Sequence, residues 1–152
     1  MTERMAEMEG GKGSGRAILV LAVLGLAVSV YLAVIKLANA TAACGGIGDC
    51  ESVNNSSYAE IAGIPIAIFG AAAYLVILGL AWIGGRRPEY DEQARMALFG
   101  VSLAGTLYSA YLSYIEVFVL HAVCPYCVVS AVCMTGILIL SVLRLRALAA
   151  PA

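Results

Sequence analysis

Charge is scarce in this chain. Asp, Glu, Lys and Arg make up 12% of its 152 residues, and the formal net charge is −1. A chain so close to neutral carries no electrostatic footprint for nucleic acid. The middle of its long apolar runs also shows little beyond small residues, which disfavours a transporter, because transport pathways place ionisable groups at mid-membrane. The Cys-x-x-Cys at Cys124 and Cys127 has no strand pattern before it. That excludes the βαβ surroundings of a soluble glutaredoxin-like domain. The first apolar run, residues 17–37, lacks a clear cleavage site and is not a signal peptide in form.

Apolar surface is abundant instead. Hydrophobic residues make up 62% of the chain and the mean hydropathy is +0.92, outside the range of soluble globular proteins. Four runs are long enough to cross a bilayer: 17–37, 64–83, 96 to about 120, and 125 to about 145. The fold class expected is therefore all-α, an integral membrane bundle of four transmembrane helices in contact with the lipid bilayer. Residues 1–16 are polar, Gly-rich and mixed in charge and read as a disordered tail, residues 17–145 as the four-helix domain, and 146–152 as a second short tail. Between the first two spans lies a polar loop, about 38–63, with Cys44, Cys50, Gly45-Gly46-Ile47-Gly48 and a Ser/Asn cluster. Gly84-Gly85-Arg86-Arg87-Pro88 breaks the second span from the third.

Basic residues set the orientation. Arg4, Lys12, Arg16, Arg86, Arg87, Arg95, Arg144 and Arg146 fall on one side and Lys36 on the other. By the positive-inside rule both termini are cytoplasmic in a multi-pass cell-membrane protein. The Cys44/Cys50 loop and the mouth of Cys124/Cys127 then share the outer, oxidising face, where dithiols are expected to turn over as disulfides rather than persist as reduced metal ligands.

Cys124-Pro125-Tyr126-Cys127 opens the fourth span. Cys124 falls at the expected N-cap, Pro125 suits the first helical position, and Cys127 lands at the third, where free N–H groups and the helix dipole are expected to favour its thiolate. His121, just upstream, reads as a surface or capping residue, with proton carriage as the alternative. Cys133, six residues past Cys127, faces elsewhere on the helix and reads as packing. Tyr111 and Tyr114 read as an interfacial aromatic belt rather than ligand contacts. Glu116 is ionisable near the membrane, yet close enough to the loop that interfacial water is its simplest partner. Asn39-Ala40-Thr41 and Asn54-Asn55-Ser56 match glycosylation sequons, a pattern short enough to arise by chance. For Ser56 itself, turn chemistry and a hydrogen bond to a bound ligand both remain open.

Several of these features recur together elsewhere. A Cys pair in the first outer loop, Cys50-x-x-Val53-x-x-Ser56-x-Tyr58 leading into Gly63-Ile64-Pro65 and Phe69-Gly70, and a C-x-x-C opening the last of four spans resemble the vitamin K epoxide reductase family. Within it, the pattern is similar to prokaryotic homologues that oxidise thioredoxin-like disulfide catalysts and reduce quinones. The four-span bacterial disulfide-bond oxidase carries its C-x-x-C in the first outer loop and its spaced pair in the second, the reverse of the order here.

The resemblance implies roles for particular positions. Cys44 and Cys50 match the shuttle pair, Cys124 and Cys127 the quinone-proximal pair, and Ser56 the loop serine near the quinone site. It further implies a thioredoxin-fold disulfide donor, DsbA-like, as partner, separate from this chain because no fused thioredoxin-like domain is seen. The oxidant would be a quinone of the ubiquinone or menaquinone type. In that scheme the donor attacks Cys50, Cys44 attacks Cys124, and Cys127 passes electrons to the quinone. Animal members that reduce the epoxide have a tyrosine four residues after the second Cys of the C-x-x-C, where this chain has Ala131. Reduction of vitamin K or its epoxide is thus the alternative enzymatic reading. A non-enzymatic membrane protein with structural disulfides or a metal site is the other. Bridging Cys44 to Cys50 closes a loop so short that chain entropy offers only about 2 kcal/mol, so a carrier explains the pair better than a staple. Its five-residue gap also departs from zinc knuckles, so no metal site is expected.

Overall fold

In hydrocarbon, a backbone N–H or C=O finds no water, and a spanning segment must satisfy its own hydrogen bonds as a helix. The computed structural model follows that constraint over the residues it describes, 2–38, 57 and 60–149. Helix α1 covers Thr2–Leu37, α2 Ile66–Arg86, α3 Asp91–Tyr114 and α4 Pro125–Ala149. All four contain stretches long and apolar enough to cross a membrane. α1 packs on α2 and α4, and α3 packs on the same two, so the four helices close a ring. Cys44, Cys50, Ser56 and both sequons lie outside the described residues.

The helix ends follow local chemistry. Arg87, which ends α2, is extended at φ −121° and ψ 103°, as the residue before a proline must be to avoid the Pro88 ring. Pro88 then opens a 3-10 turn, Pro88–Tyr90, that leads straight into α3. Asp91 and Glu92 sit in the first turn of α3, where the helix dipole favours negative charge. Asp91 also holds Arg95 one turn on, at 2.9 Å.

Two features differ from the sequence reading. Residues read as a disordered tail continue α1 back to Thr2, because a span already nucleates the helix and extending it by one residue costs little. The stretch before α2 contains a short hairpin, β1 Glu60–Ile61 with β2 Ile64–Pro65, paired Glu60 to Pro65 and Ile61 to Ile64. Its two-residue turn places Ala62 at φ 53° and Gly63 at φ 83°, the twin positive values a type I′ turn requires. Lys36, at the end of α1, bonds Glu60 at 3.1 Å and ties the hairpin to the bundle.

Lipid is as apolar as leucine, so membrane helices associate through close packing at small residues. The core joins Ile18 and Ala22 of α1, Tyr74 and Ile77 of α2, Leu98 of α3, and Met134 and Ile137 of α4. Gly25 faces the Tyr74 ring so closely that a Cβ there would overlap it, and Gly105 and Gly136 make similar approaches to Met134 and Leu21. The ring is fixed, because the Tyr74 hydroxyl donates to the Ser130 carbonyl at 2.8 Å and lies 2.9 Å from its Oγ. Val20, Leu75, Leu107 and Val132 face outward. Gly25→Ala is therefore expected to destabilise the bundle by about 1–3 kcal/mol, the usual cost of overpacking, and to lower the melting temperature in detergent. Gly79→Ala, with nothing within 4 Å of its added Cβ, is expected to melt at or slightly above the wild type. Equal melting of the two variants would show that the Tyr74 ring yields.

Candidate functional site

Helix α4 starts where the sequence places it. Pro125 occupies the first helical position and has no N–H to satisfy. The Val128 N–H donates to the Cys124 carbonyl at 3.1 Å as the first helical bond, which makes Cys124 the N-cap. An N-cap side chain accepts from the second and third helical N–H groups. Here those belong to Tyr126 and Cys127, and both bond the Cys124 sulfur.

The thiolate position moves accordingly. The Cys124 thiol is lowered from its ordinary 9.0 to about 7, chiefly by the hydrogen bond from the Cys127 thiol, with the Cys127 and Tyr126 N–H groups adding to it and burial and Glu116 opposing it. The sequence assigned helix-start stabilisation to Cys127. That assignment is corrected, because the free N–H groups point out of the helix toward the residue that precedes it. Cys124 is fully buried and Cys127 half-buried, and both are free thiols. The Tyr126 ring packs against Tyr31 of α1 with centroids 5.1 Å apart, which fixes the C-x-x-C against the bundle.

Glu116 is the residue sequence reasoning passed over. Interfacial water was its expected partner, but it is buried, with 4% of its surface exposed. α3 ends in a π turn, Ile115–Val119, closed by the Leu120 N–H to the Ile115 carbonyl at 2.8 Å. Such wide turns collect at functional sites. The chain then folds back, with the Ala122 N–H on the Glu116 carbonyl at 2.9 Å and exposed His121 at φ 51°. This return lays the Cys124 N–H 3.4 Å from Glu116 Oε2 and puts the Cys127 thiol in hydrogen-bond contact with the same carboxyl group. The available signal was an acid near the end of an apolar run, on the same helical face as Gly105, Ser109 and Leu112; which face of the span looks inward has no sequence signature.

The dithiol faces a cavity of about 280 Å³ within the helix ring. Ser29 of α1, Phe69 and Tyr74 of α2, Tyr108 of α3, Glu116, and Cys124 and Cys127 contribute to its wall. Its size is near the lower end of small-molecule sites, and its character, apolar with a few converging polar groups, is typical of them. Tyr111 and Tyr114 lie exposed and off the cavity, and Cys133 is buried away from it. Among the described residues, no group of three or more His, Cys, Asp or Glu could hold a metal ion.

Residues 16–142 match the vitamin K epoxide reductase family. The chain is also 35% identical over 120 residues to the thiol-disulfide oxidoreductase LTO1 of Arabidopsis thaliana, in an alignment covering 75% of this chain and 32% of that protein. It thus spans about a third of the length of that relative. With four apolar helices closed around a C-x-x-C and the family match running through them all, the chain is a multi-pass membrane protein and belongs to the vitamin K epoxide reductase family.

Proposed function

We propose that the chain is a membrane thiol:quinone oxidoreductase that reoxidises an extracytoplasmic thioredoxin-fold disulfide donor of the DsbA kind. The observation that carries this reading is the Cys124/Cys127 dithiol, capped for thiolate formation, on the wall of an apolar cavity inside a membrane bundle. A quinone head group is flat, largely apolar and edged by two acceptor oxygens. The cavity matches it with the Phe69 ring, the Ser29 hydroxyl, the Tyr108 hydroxyl and the Glu116 carboxyl. Once bound, the quinone supplies a two-electron, two-proton acceptor. Ser56, matched by resemblance, is a further proposed contact.

Electrons enter through the loop. The reduced donor attacks Cys50 of the Cys44–Cys50 disulfide and is oxidised as the loop pair becomes a dithiol. Cys44 attacks Cys124 of the oxidised C-x-x-C and Cys127 leaves. Cys50 then attacks Cys44, restoring the loop disulfide and releasing Cys124. A leaving thiol departs faster the lower its pKa, so the stabilised Cys124 sulfur suits that exit. The resulting dithiol delivers its electrons to the quinone. Arg95 and Arg144, joined by the Arg95 Nη1 to Arg144 carbonyl bond at 3.2 Å, mark the end of the bundle away from the dithiol. With the positive-inside rule, that end is cytoplasmic and the dithiol lies at the outer face.

Purified protein in detergent, mixed with a reduced thioredoxin-fold donor and a short-chain ubiquinone or menadione, tests the relay by quinone absorbance. Cys44→Ala, Cys50→Ala, Cys124→Ala and Cys127→Ala are each expected to fall to background while Cys133→Ala keeps wild-type turnover. Surviving turnover without Cys44 or Cys50 would make the loop pair structural. Cys124 also has its own pH signature. Thiolate accumulates as pH rises through the folded pKa, so Cys124 alkylation, followed by peptide mapping in a C44A/C50A/C133A background, is expected to be half-maximal near pH 7 and to fall about tenfold per unit below it. Adding Cys127→Ala removes the main stabilising hydrogen bond and is expected to move the midpoint upward. An unmoved midpoint would assign the effect to the helix start alone.

A further inference from the structure

A carboxyl group inside a membrane protein is costly and is retained for function. Among the described residues that line the cavity, Glu116 is the one carboxylic acid. It holds three positions at once: the cavity wall, the Cys124 N–H at 3.4 Å, and the Cys127 thiol. Two other titratable groups nearby are poorly suited to take the Cys127 proton. The Tyr74 hydroxyl is committed to Ser130, and His121 is exposed and not part of the cavity wall.

Oxidising a pair held as Cys124 thiolate and Cys127 thiol to a disulfide breaks one S–H bond, and making a quinol from a quinone forms two O–H bonds. The electrons cross directly between sulfur and ring, but each proton needs a carrier across an apolar space. We propose that Glu116 is a catalytic proton carrier, whose carboxylate takes the Cys127 thiol proton as the Cys124–Cys127 disulfide forms and delivers it to a quinone oxygen in the cavity. This inference rests on the thiol:quinone reading. In the balanced step the Cys124 thiolate and the Cys127 thiol become a disulfide, two electrons reduce the quinone, Glu116 hands on the Cys127 proton and returns to its starting state, and water supplies the proton for the second oxygen. Like charges this close disfavour a Cys127 thiolate beside an ionised Glu116. One proton shared between the two groups removes that conflict.

Glu116→Gln is the discriminating variant, because an amide oxygen still accepts from the Cys124 N–H but cannot take a proton. General acid–base groups contribute about 10²- to 10⁴-fold, so E116Q is expected to lower kcat for short-chain ubiquinone and menadione by at least about 100-fold with KM nearly unchanged. Glu116→Asp keeps a carboxyl group and is expected to retain at least about ten times the kcat of E116Q. A quinone-free readout runs beside it: the oxidised-minus-reduced infrared difference spectrum, with the pair oxidised by diamide. Wild-type protein is expected to show a carboxyl C=O band that shifts in E116D and is missing in E116Q. E116Q turning over within twofold of wild type, a raised KM with kcat intact, equal kcat in E116D and E116Q, or a wild-type spectrum without that band would each overturn the assignment. If wild-type protein reduces neither quinone, the quinone reading fails and takes proton delivery with it, and the infrared band still decides whether Glu116 and Cys127 share a proton.

Discussion

The start of helix α4 is the constraint on which the site depends. A helix leaves its first N–H groups without intrahelical partners, and at the end of a membrane bundle few other groups are at hand to satisfy them. Here the solution is made almost entirely from chemically active groups. Pro125 has no N–H to satisfy, the Tyr126 and Cys127 N–H groups go to the Cys124 sulfur, and the Cys124 N–H goes to Glu116. Serine or aspartate would cap this helix equally well as structure. A cysteine in that place turns the capping bonds into stabilisation of a thiolate, so the demand that ends the helix also tunes the thiol.

Packing divides the bundle along its length. Toward the Arg95 and Arg144 end, Ile18, Ile77, Leu98 and Ile137 close the interior. Toward the dithiol the helices leave the cavity open. Tyr74 stands at the boundary: its ring fills the notch left by Gly25, it belongs to the core, and it contributes to the cavity wall. Its hydroxyl binds Ser130, less than a turn beyond Cys127 on α4. Core packing and the position of the helix that carries the thiols are therefore coupled through one side chain, and a cavity that stays open in an apolar interior needs such a fixed wall.

Much of this was legible in the sequence, for reasons particular to the solvent. Hydrocarbon forces helices, so 20-odd apolar residues in a row are a strong signal, and the four spans follow from composition alone. Pro125 beside Cys124 located the start of α4 because only one helical position accommodates a proline at no cost. What was not legible depends on which way groups point. Glu116 stands at regular helical spacing from Gly105, Ser109 and Leu112 on the cavity wall, but spacing alone does not show that this face of α3 looks inward. The exchange of roles between Cys124 and Cys127 has the same origin, since it turns on where N–H groups point rather than on which residues are present. Ser29, Tyr74 and Tyr108 were invisible as cavity residues because helical spacing does not show which face of a span looks inward.

The proposed relay also needs a carrier loop that reaches the dithiol without drifting away, and the described ends of that loop bear on this. Residue 38 follows α1 directly, and β1 begins at Glu60. The Lys36–Glu60 ion pair at 3.1 Å brings those two ends together, and the hairpin passes the chain into α2 through the tight Ala62-Gly63 turn. The ion pair thus fixes the described segments on either side against each other at this end of the bundle. Ion pairs at a surface contribute little to stability, about 0–1 kcal/mol. Lys36 is thus better understood as holding the β1–β2 hairpin in register with the end of α1.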